Sequence, residues 1–321
     1  MNFSKLSIQN SHLLVMDWTL VPKTLHTLDL SFNRITHISW KGAPPDLRRV
    51  ILRCNRITEI DWTDTPPFLE YVDLSFNLIA DLRWTNSPAS LKSIDFTNNL
   101  ISLVQWNDCP SSLQSIDLDQ NIIGRIDWTN VPNSLTFIGL DRNQIIQMSW
   151  PGEDAFKALI KISMKYNRIK KLNWVGVPRT LRSLWLDHNL ITVLNWTTDQ
   201  KIHLTKLYLT HNRIREMSWD QLPKKLKLLD LSSNEITKLW FERGYFGLEV
   251  LDILFMNVNI DWKNVPDSIR VPNDGLAEYR AATKIQRACH NWIWKPVLSD
   301  GKPGIRPRLD MRELGVQEFT R

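Results

Sequence analysis

Residues 25–40 read LHTLDLSFNRITHISW, and residues 69–84 read LEYVDLSFNLIADLRW. Aligned on Asn33 and Asn77, both follow the pattern L-x-x-L-x-L-x-x-N-x-I-x-x-I-x-W. The asparagine returns as Asn55, Asn99, Asn121, Asn143, Asn167, Asn189, Asn212 and Asn234, at an interval of about 22 residues. Seven residues after nine of these ten asparagines stands a tryptophan: Trp40, Trp62, Trp84, Trp106, Trp128, Trp150, Trp174, Trp196 and Trp219. Only Asn234 breaks the pairing, with Phe241 in the tryptophan place. A fixed period of this length means that one small unit, unable to bury its apolar edge alone, is stacked into a solenoid.

Working outward, Ser11 takes the asparagine place in a first copy and Met256 in a last, which gives about twelve copies over residues 1–270. Two copies carry insertions, PGEDAFKALIKI after Trp150 and one residue near Lys201. In TLDLS the leucines of an extended segment point one way and Thr27, Asp29 and Ser31 the other. The asparagine amide is expected to be buried and to satisfy backbone groups in its own copy and the next, since each left unpaired costs about 1–3 kcal/mol. The tryptophans run in phase with an apolar residue two places earlier, as in Ile60–Trp62 and Ile126–Trp128. Both side chains of such a pair face inward, and a buried indole contributes roughly 4–6 kcal/mol as an upper bound. Proline follows four residues after most tryptophans, as at Pro44, Pro66, Pro88 and Pro110, and predicts a turn-rich back side with little helix. The segment EDAFKALI is the one place on that side where a helical turn is expected.

This pattern resembles the leucine-rich repeat family, whose L-x-x-L-x-L-x-x-N-x-L signature recurs here copy for copy. The resemblance implies an α/β-type solenoid with a parallel β-sheet on the concave face and a mostly non-helical convex face. It also implies a protein–protein interaction scaffold.

If the sheet forms, the residue between the two strand leucines faces outward in every copy. Down the stack this column reads Ser7, Asp29, Ile51, Asp73, Asp95, Asp117, Gly139, Ser163, Trp185, Tyr208, Asp230 and Asp252. Six of the twelve are aspartates, so like charges crowd at the roughly 4.8 Å strand spacing. Arg34, Arg49, Arg53 and Arg56 are placed to answer them near one end. The face reads either as a docking surface for a basic segment or as a solvated polar wall. Trp185 and Tyr208 interrupt the acidic column side by side, with Tyr166, His188, His211, Lys165 and Asp187 just beyond the strands. Exposed aromatic groups with histidine and charge nearby have the composition of an interaction hot spot. The candidate partner-binding residues are therefore Trp185, Tyr208, Asp187, His188, His211 and Tyr166. The competing reading is a packed aromatic pair covered by the insertion after Trp150 or by the C-terminal tail. Two histidines without a third ligand make a poor metal site.

Residues 271–321 comprise a linker, a helix and a basic tail. Ala281, Ala282, Ile285, Ala288, Cys289 and Trp292 fall on one stripe at helical spacing. The segment resembles an IQ motif, the calmodulin-binding helix: Ile285, Gln286 and Lys295 match, whereas His290 and Asn291 depart from the arginine and glycine of that motif. A short C-terminal helix here serves as a cap on the open last copy, as a binding element, or as both. From Arg280 onward nine basic residues face four acidic ones, so five of the six net positive charges lie there and the repeats are nearly neutral. Binding to nucleic acid or anionic membrane would have to use this tail. The Trp-bearing repeats with an AATKIQRA tail also resemble leucine-rich-repeat proteins of giant DNA viruses of amoebae, which implies a host-cytoplasmic setting.

Three scattered cysteines give no disulfide framework and no metal spacing, and no apolar run reaches membrane-helix length, so a cytoplasmic location is expected. No phosphate loop, zinc-protease motif or serine elbow occurs, and no cofactor or enzymatic activity is expected. A regulatory subunit of a phosphatase, kinase or ubiquitin-ligase assembly remains an alternative form of the same binding function.

Overall fold

The computed structural model describes residues 4–194, 202–217, 222–240, 247–256 and 259–261. Twelve three-residue strands, one from each copy, form a single parallel sheet. They run from Lys5–Ser7 and Thr27–Asp29 through Ser183–Trp185 and Lys206–Tyr208 to Val250–Asp252. Two short parallel pairs lie outside this sheet, Gln147–Met148 with Lys171–Leu172 and Lys238–Trp240 with Asn259–Asp261. Among the described residues the only helix is one 3-10 turn, Trp18–Leu20. No described helix is long and apolar enough to cross a membrane.

The register follows from the alternation. Leu28, Val50, Val72, Ile94 and Ile116 are strand centres paired with one another, and all are buried. Their neighbours Asp29, Ile51, Asp73, Asp95 and Asp117 pair on the opposite face. A shift of one residue would place every aspartate in the core, so register is strongly specified.

Nine of the ten asparagines are buried, as expected, and Asn234 is partly so, but their bonds run backward along the chain. Asn77 Nδ2 donates to the carbonyl oxygens of Leu74 in its own copy (2.9 Å) and Leu52 in the preceding one (3.0 Å). Its Oδ1 accepts from the Ile57 N–H at 2.9 Å, also in the preceding copy. Asn55, Asn99, Asn121, Asn143, Asn167, Asn189, Asn212 and Asn234 repeat this geometry. The expected link to the following copy is therefore corrected to the preceding one. The residue before each asparagine is left-handed, with φ from 55° to 58° at Phe32, Cys54, Phe76, Tyr166 and His188. Such a conformation costs an L-residue about 1 kcal/mol or more. Cross-copy bonds hold it, as when the His188 N–H donates to Thr210 O at 2.8 Å.

The indoles form the rear of the core. Trp40, Trp62, Trp84, Trp106, Trp128 and Trp174 are buried, and Trp40 stacks on Trp62 at 6.4 Å. Where an indole has its bond, it donates to the next copy: Trp62 Nε1 to Arg83 O at 2.8 Å and Trp84 Nε1 to Gln105 O at 2.9 Å. Behind them the chain closes by tandem turns, with Ala43 N donating to Trp40 O and Leu47 N to Pro44 O. The turn position two after the tryptophan is left-handed and falls on Gly42, Asp64, Asn86, Asp108, Asn130 and Gly176, the residue types that take that conformation most cheaply.

Two expectations for the back side fail. Trp150 is only half-buried, and EDAFKALI forms turns and bends instead of a helical turn. The insertion sends Phe156 into the core, edge-on to Trp128 at 5.4 Å, and Leu159 behind it. Asn143 and Asn167 stand 24 residues apart against the usual 22, so this copy gains only two residues, fewer than the roughly 3.6 of one helical turn. The described residues also end before the segment expected to hold the C-terminal helix.

Replacing Asn77 by Ala strands the Ile57 N–H in the core and takes one of two amide bonds from the carbonyls of Leu52 and Leu74, which keep Asn55 Nδ2 and Asn99 Nδ2. Urea unfolding should show a loss of about 2–4 kcal/mol. A loss below about 0.5 kcal/mol would show that the amide ladder is not a structural element.

Candidate functional site

The strands deliver two ladders of rings to the sheet face. Trp185 and Tyr208 are register partners on neighbouring strands and stack at 5.6 Å, nearly parallel. Lys161 Nζ lies over the other face of Trp185, 4.7 Å from its centre. The second ladder is built from the left-handed residues that precede the asparagines. Tyr166 stacks on His188 at 4.1 Å, and His188 on His211 at 4.3 Å. The Arg142 guanidinium covers the outer face of Tyr166 at 4.2 Å. Tyr166 is exposed, and Trp185, Tyr208 and His188 are partly so.

Asp187 stands between the ladders in sequence and accepts the Thr210 N–H at 3.0 Å. Burial pushes its carboxyl up to about 6, helped by Asp230 and Asp141 and opposed by the Thr210 bond and Lys165. Burial, then His211 and Arg142, lowers His188. The Tyr208 phenol is raised by burial and by Asp187 and Asp230. The structure thus brings all six candidate residues onto one patch. Arg142 and Lys161, the cations that cap the ladders, escaped the sequence reading. Both occupy column positions legible from the period, Arg142 immediately before Asn143 and Lys161 at the start of its strand.

The insertion after Trp150 packs on the indole side, with Phe156 against Trp128 and Glu153 paired to Arg179, so it does not cover Trp185 and Tyr208. His188 and His211 stack face to face, and no group of three potential metal ligands occurs among the described residues. Ile285, Gln286 and Lys295, with the calmodulin reading they carry, lie outside the described residues.

The aspartate column has a structural task. Asp29, Asp73, Asp95, Asp117 and Asp230 each accept the backbone N–H two residues on, at 2.8–3.1 Å, closing the strand end. The expected answering arginines do something else: Arg49 lies over Tyr71 at 3.7 Å and Arg53 over Phe76 at 4.3 Å. Midway along the column the carboxylates crowd most. Asp119 takes a place filled by serine or threonine at Ser31, Ser75 and Thr97, and it adjoins Asp117 and Asp141. A Cβ on Gly139 would come within 2.7 Å of Asp117 Oδ1, so glycine makes room for this cluster. Burial, then Asp117 and Asp141, pushes Asp119 up to about 8.

With the geometry in place, comparison with known proteins is informative. The family described as Leucine Rich repeat matches residues 21–37. Among solved structures, YopM, a leucine-rich effector protein from Yersinia pestis, is 24% identical, with 84% of this chain and 72% of that chain covered and a TM-score of 0.63. The fold of this chain is that of a leucine-rich-repeat solenoid. A leucine-rich-repeat protein of Leptospira interrogans is 20% identical over 78% of this chain and 73% of its own, with a TM-score of 0.59. A chain from the octameric complex of Latrophilin 3, Unc5D and FLRT2, which includes the FLRT2 leucine-rich repeats, is 20% identical over 82% of this chain and 88% of its own, with a TM-score of 0.67. At these identities the likeness concerns the fold alone. A search of curated proteins found no match.

Asp119 gives the repeats a defined pH response. Its folded-state value is raised, so the native chain keeps a proton that the unfolded chain has lost between about pH 4 and about pH 8, and stability falls as pH rises through that window. Asp119→Asn, which keeps an oxygen for the Asp141 N–H, should raise the melting temperature at pH 8.5 and change it little at pH 5. Equal shifts at both values would contradict the assignment.

Proposed function

We propose that this chain is a protein-binding scaffold whose partner docks on the paired ring ladders of the sheet face. One observation carries the reading: Trp185–Tyr208 and Arg142–Tyr166–His188–His211 stand side by side, pre-stacked and solvent-facing. Tryptophan, tyrosine and arginine dominate interface energetics because they bury large area for few lost rotamers. Here stacking has already removed much of the rotamer freedom that binding would otherwise cost. Elsewhere on the face Tyr71 and Phe76 stand singly, each under an arginine, which leaves the ladders as its longest run of stacked rings among the described residues. A chain of the same fold takes part in the octameric complex of Latrophilin 3, Unc5D and FLRT2. The repeats act as a rigid rod that presents these residues at fixed spacing, and no bond-making step is part of this reading.

The double variant Trp185→Ala, Tyr208→Ala tests it. Partner capture by the full chain should be lost, with a stability cost no larger than about 2–3 kcal/mol for truncating half-exposed rings. Capture that persists while the melting temperature collapses would assign the pair to packing instead.

A further inference from the structure

Four rings on the sheet face share an asymmetry, whereas Phe137 has Lys161 on its C-terminal side, at 5.7 Å. Arg49 covers Tyr71, Arg53 covers Phe76, Arg142 covers Tyr166 and Lys161 covers Trp185, at 3.7–4.7 Å. In each case the cation comes from the copy on the N-terminal side of the ring. The C-terminal side of the Trp185–Tyr208 ladder is different. The register partner of Tyr208 there is Asp230, and beyond it comes Asp252. The residue that follows His211 in its column is Ser233. Among the described residues neither a ring nor a cation covers that face of Tyr208.

The charges around it are unbalanced. Asp230 Oδ1 accepts the Ser232 N–H, and Asp252 Oδ1 accepts the Ser232 hydroxyl and the Leu254 N–H, all within strand-end turns. No ion pair among the described residues engages Asp187, Asp230 or Asp252. An aromatic face bordered by carboxylates, on a protein that places cations over Tyr71, Phe76, Tyr166 and Trp185, is complementary to one more cation. On the reading that the partner docks at these ladders, we infer that it presents an arginine side chain that stacks on Tyr208 and pairs with Asp230 and Asp252. Arginine fits better than lysine because its planar guanidinium lies flat on a ring while its edge donates to two carboxylates at once. Cation and carboxylates meet here beside a partly buried ring, where attraction is screened less than in open solvent.

The test uses the full chain and three synthetic peptides, Ac-Gly-Ser-X-Gly-Ser-NH2 with X as arginine, citrulline or lysine, titrated while the side-chain resonances of Trp185 and Tyr208 are followed by NMR. Citrulline keeps the shape of arginine without its charge. The arginine peptide should bind at least tenfold more tightly than the citrulline peptide. Asp230→Asn with Asp252→Asn, which keeps the Oδ1 acceptors of the turns, should remove that advantage. Asp73→Asn with Asp95→Asn, farther along the same column, should leave it within twofold. Three results would overturn the inference: equal binding of arginine and citrulline, equal binding of lysine and arginine, or equal damage from the two double variants. Partner capture that still depends on Trp185 and Tyr208 after such a result would leave the docking patch standing and remove only the arginine.

Discussion

Every feature of this protein depends on a side-chain amide that belongs to two copies at once. A three-residue strand followed by a tight turn leaves its last carbonyl groups without partners, and a stack of such units multiplies the deficit. Asn33, Asn55 and their successors settle it by donating from Nδ2 to a carbonyl oxygen of their own copy and to one of the copy before. The indoles reach the opposite way, from Trp62 to the carbonyl of Arg83 and from Trp106 to that of Asp127. Neighbouring copies are thus tied at the front by amides pointing toward the N-terminus and at the rear by indoles pointing toward the C-terminus. Stability in such an array comes from the interfaces between copies. In the copy built around Ser11, Leu6, Ile8, Leu13 and Met16 are only partly buried.

The same constraint creates the surface that the protein displays. The asparagine can enter the core only if the residue before it turns through a left-handed conformation, and that turn throws the preceding side chain to the sheet edge. Repeated at strand spacing, these side chains stand within ring-stacking distance. In most copies the position holds a small, polar or lone aromatic residue. Over four consecutive copies it holds Arg142, Tyr166, His188 and His211, and a stack results. The strand residues three places before His188 and His211 add Trp185 and Tyr208 beside it. A structural necessity of the repeat is therefore converted into a recognition element by changing side chains that the core never sees.

The period alone made the strands, the buried tryptophans, the buried asparagines and the outward column legible, because each is enforced by spacing in many copies. What escaped was settled by single contacts. Nothing in the spacing says whether an amide reaches forward or back, and the direction was misjudged. The aspartates read as charges awaiting a partner, but Asp73 and Asp95 spend an oxygen on the N–H two residues on, a local turn bond that a column view hides. EDAFKALI has helical composition, yet this copy is only two residues longer than the usual 22, too little extra chain for a helical turn, and Phe156 and Leu159 are drawn into the core, so packing overrides propensity. Trp150 was assigned to the buried row by its register alone, while the insertion beside it leaves it half-buried. Within the candidate patch, the aromatic residues were visible because their types are unusual in that column. Arg142 and Lys161 were missed because isolated cations on a polar surface attract no notice until a ring is found beneath them.

The most direct measurement of the account is native-state hydrogen exchange at the isoleucine amides that donate to the next copy's asparagine, compared between the natural chain and Asn77→Ala. The Ile57 N–H, whose acceptor is Asn77 Oδ1, should be as protected as a strand amide in the natural chain and lose that protection in the variant. The Ile101 N–H, bonded to Asn121, should keep its protection. A fast-exchanging Ile57 amide in the natural chain, or one unaffected by the loss of Asn77, would contradict the claim that these amides hold one copy to the next.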